Sequence, residues 1–331
     1  MLIGLETFSY YLSFSSGKMD IFSFIRKTKS LGLDGIQINM EGDDLGHLKD
    51  DSKDHLKKVH SLCKELGLFI DLDACGTEPD KLLRYLNICT SLGVDRLRIY
   101  SSFGGDVNQE MDKAILDFKQ VAPAFATAGV KIAYENHEYE SSHDILRVIE
   151  AVGSPVIGAH IDNGNSMMLW EDPVSAVHNM APKAMSSHFK DHLVIEINGE
   201  PMIAGVPLGK GTIDLSECYR ILTEETDLDR INIEVCYGYL APFRVEQAKG
   251  EGAKLGEGPF VVTPPPFEPE IIAPHLLKPK EDGFKSYAWQ EIINLIDETE
   301  LDPLITWQEK AVETSVEYVK KLRRDHQIQS V

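Results

Sequence analysis

Leu31-Gly32-Leu33-Asp34-Gly35-Ile36-Gln37-Ile38-Asn39 carries a helix stop straight into a strand. Glycine closes a helix in the left-handed conformation at no steric cost. The alternating run behind it has the period of a β-strand. The same apolar-Gly-apolar junction returns at Leu66-Gly67-Leu68, Leu92-Gly93-Val94 and Ala128-Gly129-Val130. The spacing is about 30 residues, the size of one β-α unit. Four consecutive junctions of one design predict parallel strands wrapped by helices.

Working outward, residues 2–8 read as the first strand and 20–31 as the helix that the first junction ends. Helices are predicted over 55–66, 79–92 and about 109–128, with strands two to five at 34–39, 68–74, 94–100 and 130–136. Strands six, seven and eight fall at 155–161, 184–190 and 231–236. Residues 195–206 read as a hairpin that turns at Asn198-Gly199. A last helix within 303–324, from about Ile305, closes the array. Eight such units with right-handed crossovers predict an α/β fold, a (β/α)8 TIM barrel, with the whole chain 1–331 as one domain. A doubly wound sheet is the alternative, but no GxGxxG follows the first strand. One stretch, 237–298, breaks the alternation with Gly250-Glu251-Gly252, Gly256-Glu257-Gly258-Pro259 and Thr263-Pro264-Pro265-Pro266. It is a long insertion after strand eight, on the face where barrels build their sites, and reads as a lid, a subunit contact or disorder.

Composition works mainly by exclusion. Fifty-three acidic against 33 basic residues give a net charge of −20. That field repels phosphate backbones and anionic membranes, so neither nucleic acid nor a membrane is an expected partner. No apolar run reaches the roughly 20 residues that span a bilayer, and the first ten residues lack the pattern of a signal peptide. The five cysteines, Cys63, Cys75, Cys89, Cys218 and Cys236, are scattered and form no CxxC pair. They argue against disulfides and a thiolate zinc site, and for a cytoplasmic protein.

Four residues at the C-terminal ends of successive predicted strands carry the chemistry. Glu135 ends Lys131-Ile132-Ala133-Tyr134-Glu135, and Asp162 ends Ile157-Gly158-Ala159-His160-Ile161-Asp162. His188 lies in Ser186-Ser187-His188-Phe189-Lys190-Asp191, and Glu234 in Ile231-Asn232-Ile233-Glu234-Val235. Strand interiors disfavour Asp and Glu, and unpaired buried carboxylates cost several kcal/mol each. One such glutamate is usually a salt-bridged rim residue. Four at matching positions predict a shared divalent cation, held by Glu135, Asp162, His188 and Glu234. Three carboxylates and one imidazole favour manganese, magnesium or cobalt before zinc. His137 shares the face of Glu135 by the strand period of two, and His160 shares that of Asp162. Asn165, Lys190 and Asp191 are candidates for holding substrate hydroxyls, as is His160 unless it orients a metal ligand. Trp170 and Phe103 are candidates for stacking on a flat group, and His143 for the start of a helix.

With these residues in hand, the chain resembles the xylose-isomerase-like barrel superfamily of sugar isomerases and epimerases. The resemblance covers about residues 1–238 and the final helix. Glu135, Asp162, His188 and Glu234 match that superfamily's metal-ligand positions, and Pro207-Leu208-Gly209-Lys210-Gly211-Thr212-Ile213-Asp214 looks like its GxGxxD turn. The epimerases commonly carry a His three residues after the strand-six ligand, where this chain has Asn165. Tyr134-Glu135-Asn136-His137, together with the long insertion, looks most similar to the large subunit of bacterial C-glycoside deglycosidases. That resemblance implies a manganese-dependent lyase on 3-oxo-C-glycosides, with a small β-subunit as partner in a hetero-oligomer. His137 would take the C2 proton, and Glu135 and Glu234 would join it at the reacting centre. The alternatives are a keto-sugar isomerase or epimerase working through an enediolate, with Glu135 and Glu234 as acid and base, and a sugar-binding scaffold without catalysis.

Overall fold

The computed structural model describes residues 1–42, 44–101, 106–247, 253–277 and 298–329. Strands β1 (Leu2–Glu6), β2 (Gly35–Asn39), β3 (Phe69–Cys75), β4 (Arg96–Tyr100), β5 (Lys131–Glu135), β6 (Ile157–Asp162) and β7 (Ala184–Phe189) run in chain order. A hairpin of β8 (Asp191–Ile197) and β9 (Glu200–Val206) follows, then β10 (Arg230–Ile233) and the short β11 (Leu240–Pro242). The first seven strands and β10 close into an all-parallel eight-stranded barrel in the order β1-β10-β7-β6-β5-β4-β3-β2. The helices are α1 (Tyr11–Ser15), α2 (Ile21–Ser30), α3 (Lys53–Leu66), α4 (Pro79–Leu92), α5 (Val107–Ala128), α6 (Ser142–Val152), α7 (Pro173–Met180), α8 (Leu215–Glu224) and α9 (Glu298–Gln329). This is the expected (β/α)8 barrel.

The junctions behave as their glycines require. Gly67, Gly93 and Gly129 cap α3, α4 and α5 at φ 65 to 69°, and Gly32 follows α2 at φ 69°. Side-chain caps set the helix starts. Asp20 caps α2, Ser52 caps α3, and Ser141 forms a capping box with Asp144 on α6. Each helix therefore begins and ends where the next strand must enter the barrel.

The strands bury two different faces. Ile36, Ile38, Leu72, Leu97, Ile99, Ile132, Ile161, Phe189, Ile231 and Ile233 are buried in the apolar layer shared with the helices. The other face meets across the barrel axis and is polar. At the N-terminal end, Arg230 of β10 pairs with Asp71 of β3 at 2.6 Å, and Asn232 donates to Asp71 at 2.9 Å. The Phe69 ring fills the space beside them. A Cβ on Gly35 would meet that ring at 2.2 Å, so this position takes only glycine without rearrangement. Toward the C-terminal end the polar face becomes the candidate site.

Several boundaries differ from the sequence-based expectation, each through a hydrogen bond that draws the backbone out of the ladder. The first strand stops at Glu6 because its carboxylate turns back to accept the Phe8 N–H. Strand β10 stops at Ile233, since the Val235 N–H donates to the Ser9 hydroxyl at 2.9 Å instead of extending the ladder. The hairpin forms as expected, and Leu240–Pro242 adds a third antiparallel strand to it. That strand opens the 237–298 stretch. The glycine run 250–252 and residues 278–297 lie outside the described residues. All five cysteines are free. No helix among the described residues is long and apolar enough to cross a membrane.

Candidate metal centre

Strand register brings the four sequence-selected residues together. Asp162 stands beside His188 across the β6–β7 ladder, and His188 stands beside Asn232 on β10, two residues before Glu234. Asparagines extend the ladders past their strand ends. Asn136 exchanges two 2.9 Å bonds with the backbone of Asp162. Asn163 does the same with the backbone of Lys190, at 3.0 and 2.9 Å. These clamps fix the loop ends from which the functional side chains project.

His188 is the hub. Its Nδ1 lies 3.1 Å from Glu234 Oε2, 3.5 Å from Glu135 Oε1 and 3.7 Å from Asp162 Oδ2. Its Nε2 meets Gln37 Oε1 at 3.0 Å, which turns the Nδ1 edge of the ring toward the three carboxylates. Asp162 is aimed by the Gly164 and Asn165 N–H groups, which donate to Oδ1 at 2.8 and 2.9 Å and leave Oδ2 toward His188. Glu135, Asp162 and His188 are wholly buried, and Glu234 nearly so. Ligand-capable atoms of Asp162, His188 and Glu234 lie within 4.8 Å of one another, as do those of Glu135, His160 and His188. His188 Nδ1, Glu135 Oε1 and Glu234 Oε2 are buried and point into the cluster, where they meet one another and, for Glu234, Lys190. Such a set of hard oxygens converging on one imidazole nitrogen fits a divalent cation that would take the place of the proton on that nitrogen.

The charges confirm how strongly these groups feel each other. Burial pulls the His188 imidazole down, but Glu234, Asp162 and Glu135 outweigh it and hold its pKa well above the ordinary value. Burial pushes the Glu234 and Asp162 carboxyls up, but Lys190 and His188 outweigh it and hold both below their ordinary range. Lys190 supplies that field from 2.8 Å on Asp162 Oδ2, and it also pairs with Glu234 Oε2. Glu135 is raised by burial, against the Arg98 guanidinium paired to its Oε2.

The cluster floors a cavity of about 440 Å³ whose wall includes His188, Glu234, Lys190, Asn165, His137, Arg98, Glu6 and Asp73. His137 is stacked on Tyr100 at 3.9 Å and 13°, and the Arg98 guanidinium lies 4.4 Å over the Tyr100 ring. Burial, with Arg98 and Lys190, holds the His137 pKa well below the ordinary value. Asn165 Oδ1 accepts from Lys190 at 3.4 Å.

Two of the expected substrate contacts lie elsewhere. His160 sits within the floor: its Nδ1 meets the Ser186 hydroxyl at 2.7 Å, and its Nε2 lies 3.8 Å from Glu135 Oε1. It faces the carboxylate cluster, with Glu135 and His188, and not the open cavity. Asp191 turns away to the loop before α8, where its Oδ2 accepts the Gly209 and Gly211 N–H groups at 2.9 and 2.8 Å. Its backbone opens β8, and the alternation along that strand carries it off the cavity. Trp170 also faces elsewhere, stacked on Phe243 at 3.6 Å with its indole N–H on the Val245 carbonyl. Phe103 lies outside the described residues. His143 stands in the first turn of α6, as expected. Sequence reading passed over Gln37, Arg98, Glu6 and Asp73. Their signal was the run of inward polar residues at a spacing of two, as in Asp71-x-Asp73 and Arg96-x-Arg98.

A closed (β/α)8 barrel with carboxylates and imidazoles converging at its C-terminal mouth defines a barrel protein fitted to hold a cation beside a small-molecule cavity. The chain belongs to the xylose isomerase-like TIM barrel family, whose pattern matches residues 25–254. Over 238 residues it is 26% identical to a 3-oxo-isoapionate decarboxylase of Pectobacterium atrosepticum, covering 70% of this chain and 84% of that protein. The fold matches that of an L-ribulose 3-epimerase with TM-score 0.59 at 15% identity, over 100% of this chain and 98% of the other. It also matches a xylose isomerase-like TIM barrel protein from Mycobacterium smegmatis in complex with magnesium, with TM-score 0.53 at 17% identity, over 65% of this chain and 81% of that one.

Proposed function

We propose that this chain is a divalent-metal-dependent carbon–carbon lyase that cleaves 3-oxo-C-glycosides. The family and the relatives support a sugar-processing enzyme. The decarboxylase relative is named for breaking a carbon–carbon bond in a 3-oxo substrate, which supports bond cleavage beside a ketone. The observation that carries the reading is that His137 lines the same cavity as His188 and Glu234. A proton-accepting imidazole thus shares a wall with a cation-binding cluster.

Glu135, Asp162, His188 and Glu234 would hold the ion, with His160 beneath them. An ion held there, taken to be manganese, would supply positive charge to the negative charge that develops on the sugar oxygens. His137 takes the proton from C2 of the oxidised sugar, a carbon acidified by the neighbouring ketone. Stacking on Tyr100 holds the imidazole in place while it does so. Lys190 and Asn165, which line the same cavity, bind sugar oxygens. The carbon–carbon bond at C1 then breaks as the C1–C2 double bond forms. Tyr239 and Arg244 of the 237–298 stretch line this mouth, and a small β-subunit completes the assembly. The epimerase reading uses the same cluster but reprotonates the sugar carbon. It is favoured only by the fold likeness, since Arg98 already engages the Glu135 carboxylate that would serve as acid.

Metal analysis and activity of Glu234→Gln test the proposal. Wild-type chain with its partner releases an aromatic aglycone from a 3-oxo-C-glycoside in the presence of manganese. The variant loses bound metal and falls by at least about 100-fold in turnover, the scale of losing a metal's charge stabilisation. Wild-type protein that binds metal but only exchanges or epimerises the sugar proton would give the function to the isomerase reading. No metal binding at all would leave a scaffold.

A further inference from the structure

His137 is followed at once by a turn that its residues do not favour. Glu138 has φ 56°, in the left-handed region that a side chain with a Cβ avoids. The Tyr139 N–H donates back to the His137 carbonyl at 2.7 Å and closes a three-residue turn. Such a turn with a positive φ at its centre is the rare and strained form. Backbone of this kind persists where its surroundings hold it. His137 opens the turn, and its ring is stacked on Tyr100.

The hold on this turn comes from 101 and 106 positions further along the chain. The Tyr239 hydroxyl donates to Glu138 Oε1, and Arg244 donates to Oε2 from Nε at 3.0 Å and from Nη2. The Arg244 guanidinium also lies 5.0 Å from the centre of the Tyr139 ring. Glu138 is buried, so loss of Arg244 would strand its charge away from water. The clamp is itself anchored. The Tyr239 carbonyl accepts the Gly205 N–H of β9 at 3.1 Å, and the Arg244 N–H donates to the Met168 carbonyl at 2.8 Å. On either side of Arg244, the Phe243 ring is stacked on Trp170 and the Val245 carbonyl accepts the Trp170 indole N–H. The backbone that carries Arg244 is thus fixed to the loop after β6. His137, Glu138, Tyr139, Tyr239 and Arg244 all line the one cavity.

We propose that Glu138 is a positioning residue for His137, and that Tyr239 and Arg244 hold it in that role. This rests on the lyase reading, in which His137 takes the C2 proton. The turn at Glu138 sets the course of the backbone that carries the imidazole, and the clamp keeps the turn in its strained form. Precision matters here, since a displacement of about 1 Å can cost a reacting group about 100-fold in rate. The stretch after β10 thereby enters the chemistry without touching the sugar: it fixes the setting of a base that β5 delivers.

Arg244→Met keeps an apolar stem and removes the guanidinium. Combining it with Glu138→Gly removes the whole ion pair and gives the turn a residue that takes a positive φ without steric cost. With a 3-oxo-C-glycoside and manganese, exchange of the C2 proton for deuterium should slow by about 100-fold in the single variant, with KM and bound manganese unchanged. The double variant should recover to within about tenfold of wild type. The carbon-bound ring protons of His137, assigned by their loss in His137→Gln, give a second reading by NMR in protein without added metal. Their ring-current shift over Tyr100 should be lost in the single variant and return in the double one. A raised KM with unchanged turnover overturns the proposal, since Arg244 would then bind substrate directly. So does wild-type exchange with an unmoved His137 signal, or a folded double variant that recovers nothing. Should Arg244→Met not fold, Tyr239→Phe takes a single hydroxyl from Glu138 and should show both changes at smaller amplitude; no change in either overturns the clamp. If wild type exchanges no C2 proton, the lyase reading falls, and the His137 signal still decides whether Arg244 and Tyr239 position the ring.

Discussion

Asp191 shows how a residue with the look of a site residue can belong to the scaffold. Its Oδ2 binds two backbone N–H groups of the loop that leads into α8, and the side chain is nearly wholly buried. Burial raises its pKa from the ordinary 3.8 to about 7 despite those N–H donors. The sign follows from linkage. A carboxyl raised on folding binds its proton more tightly in the native state. It therefore contributes stability that is full below the ordinary value and lost as pH rises through about 7. Asp191→Asn keeps an oxygen for both glycines and has no proton to lose. Wild type should lose stability relative to the variant by up to about 1.4 kcal/mol per pH unit across that window. Urea denaturation of both proteins at about pH 5 and about pH 8 measures it, and parallel curves would show an Asp191 ionised throughout. Sequence could not separate Asp191 from Lys190. They are neighbours, and only the start of a new strand decides which of the two faces the cavity.

At the scale of elements, the junction glycines and the strand periods were legible because both are local. Gly67, Gly93 and Gly129 sit where a left-handed residue must stand, whatever the rest of the chain does. Strand ends were less legible. The stop of β10 depends on Ser9, more than 200 positions away, and no local pattern contains it. The same holds for the barrel interior. Asp71, Arg96 and Arg98 look misplaced in strands until Arg230, Met185 and Glu135 arrive to meet them. Gly35 belongs to this class. It lies inside β2 with no turn to make, and its role is to admit the Phe69 ring from β3. Gly35→Ala should cost roughly 1–3 kcal/mol, the usual range for overpacking a filled interior. Phe69→Leu shortens the ring that the new methyl would strike, so the double variant should recover part of that loss. A double-mutant cycle by chemical denaturation checks the coupling, and additive effects would mean the strain lies elsewhere.

At the scale of the whole molecule, the acidic surplus and the site belong to one electrostatic design. A net charge of −20 draws cations toward the protein, and the barrel axis gathers buried carboxylates at one mouth. Folding brings Glu135, Asp162 and Glu234 around a single imidazole, against their mutual repulsion. Only the folded chain offers that arrangement, so a cation that binds it must stabilise the native state. At a free concentration of about 100 times its dissociation constant, the gain is about 2.7 kcal/mol. A chain of 331 residues unfolds with an entropy of roughly 0.7 kcal/mol per degree, so manganese should raise Tm by about 4 °C. Asp162→Asn removes one charge while its side-chain oxygen can still accept the Gly164 and Asn165 N–H groups. That variant should fold, show little of the manganese shift, and lose less Tm than wild type when a chelator is added. A shift of equal size in both proteins, followed by calorimetry, would place the ion on the acidic surface rather than at His188, and the sugar chemistry built on the cluster would fall with it.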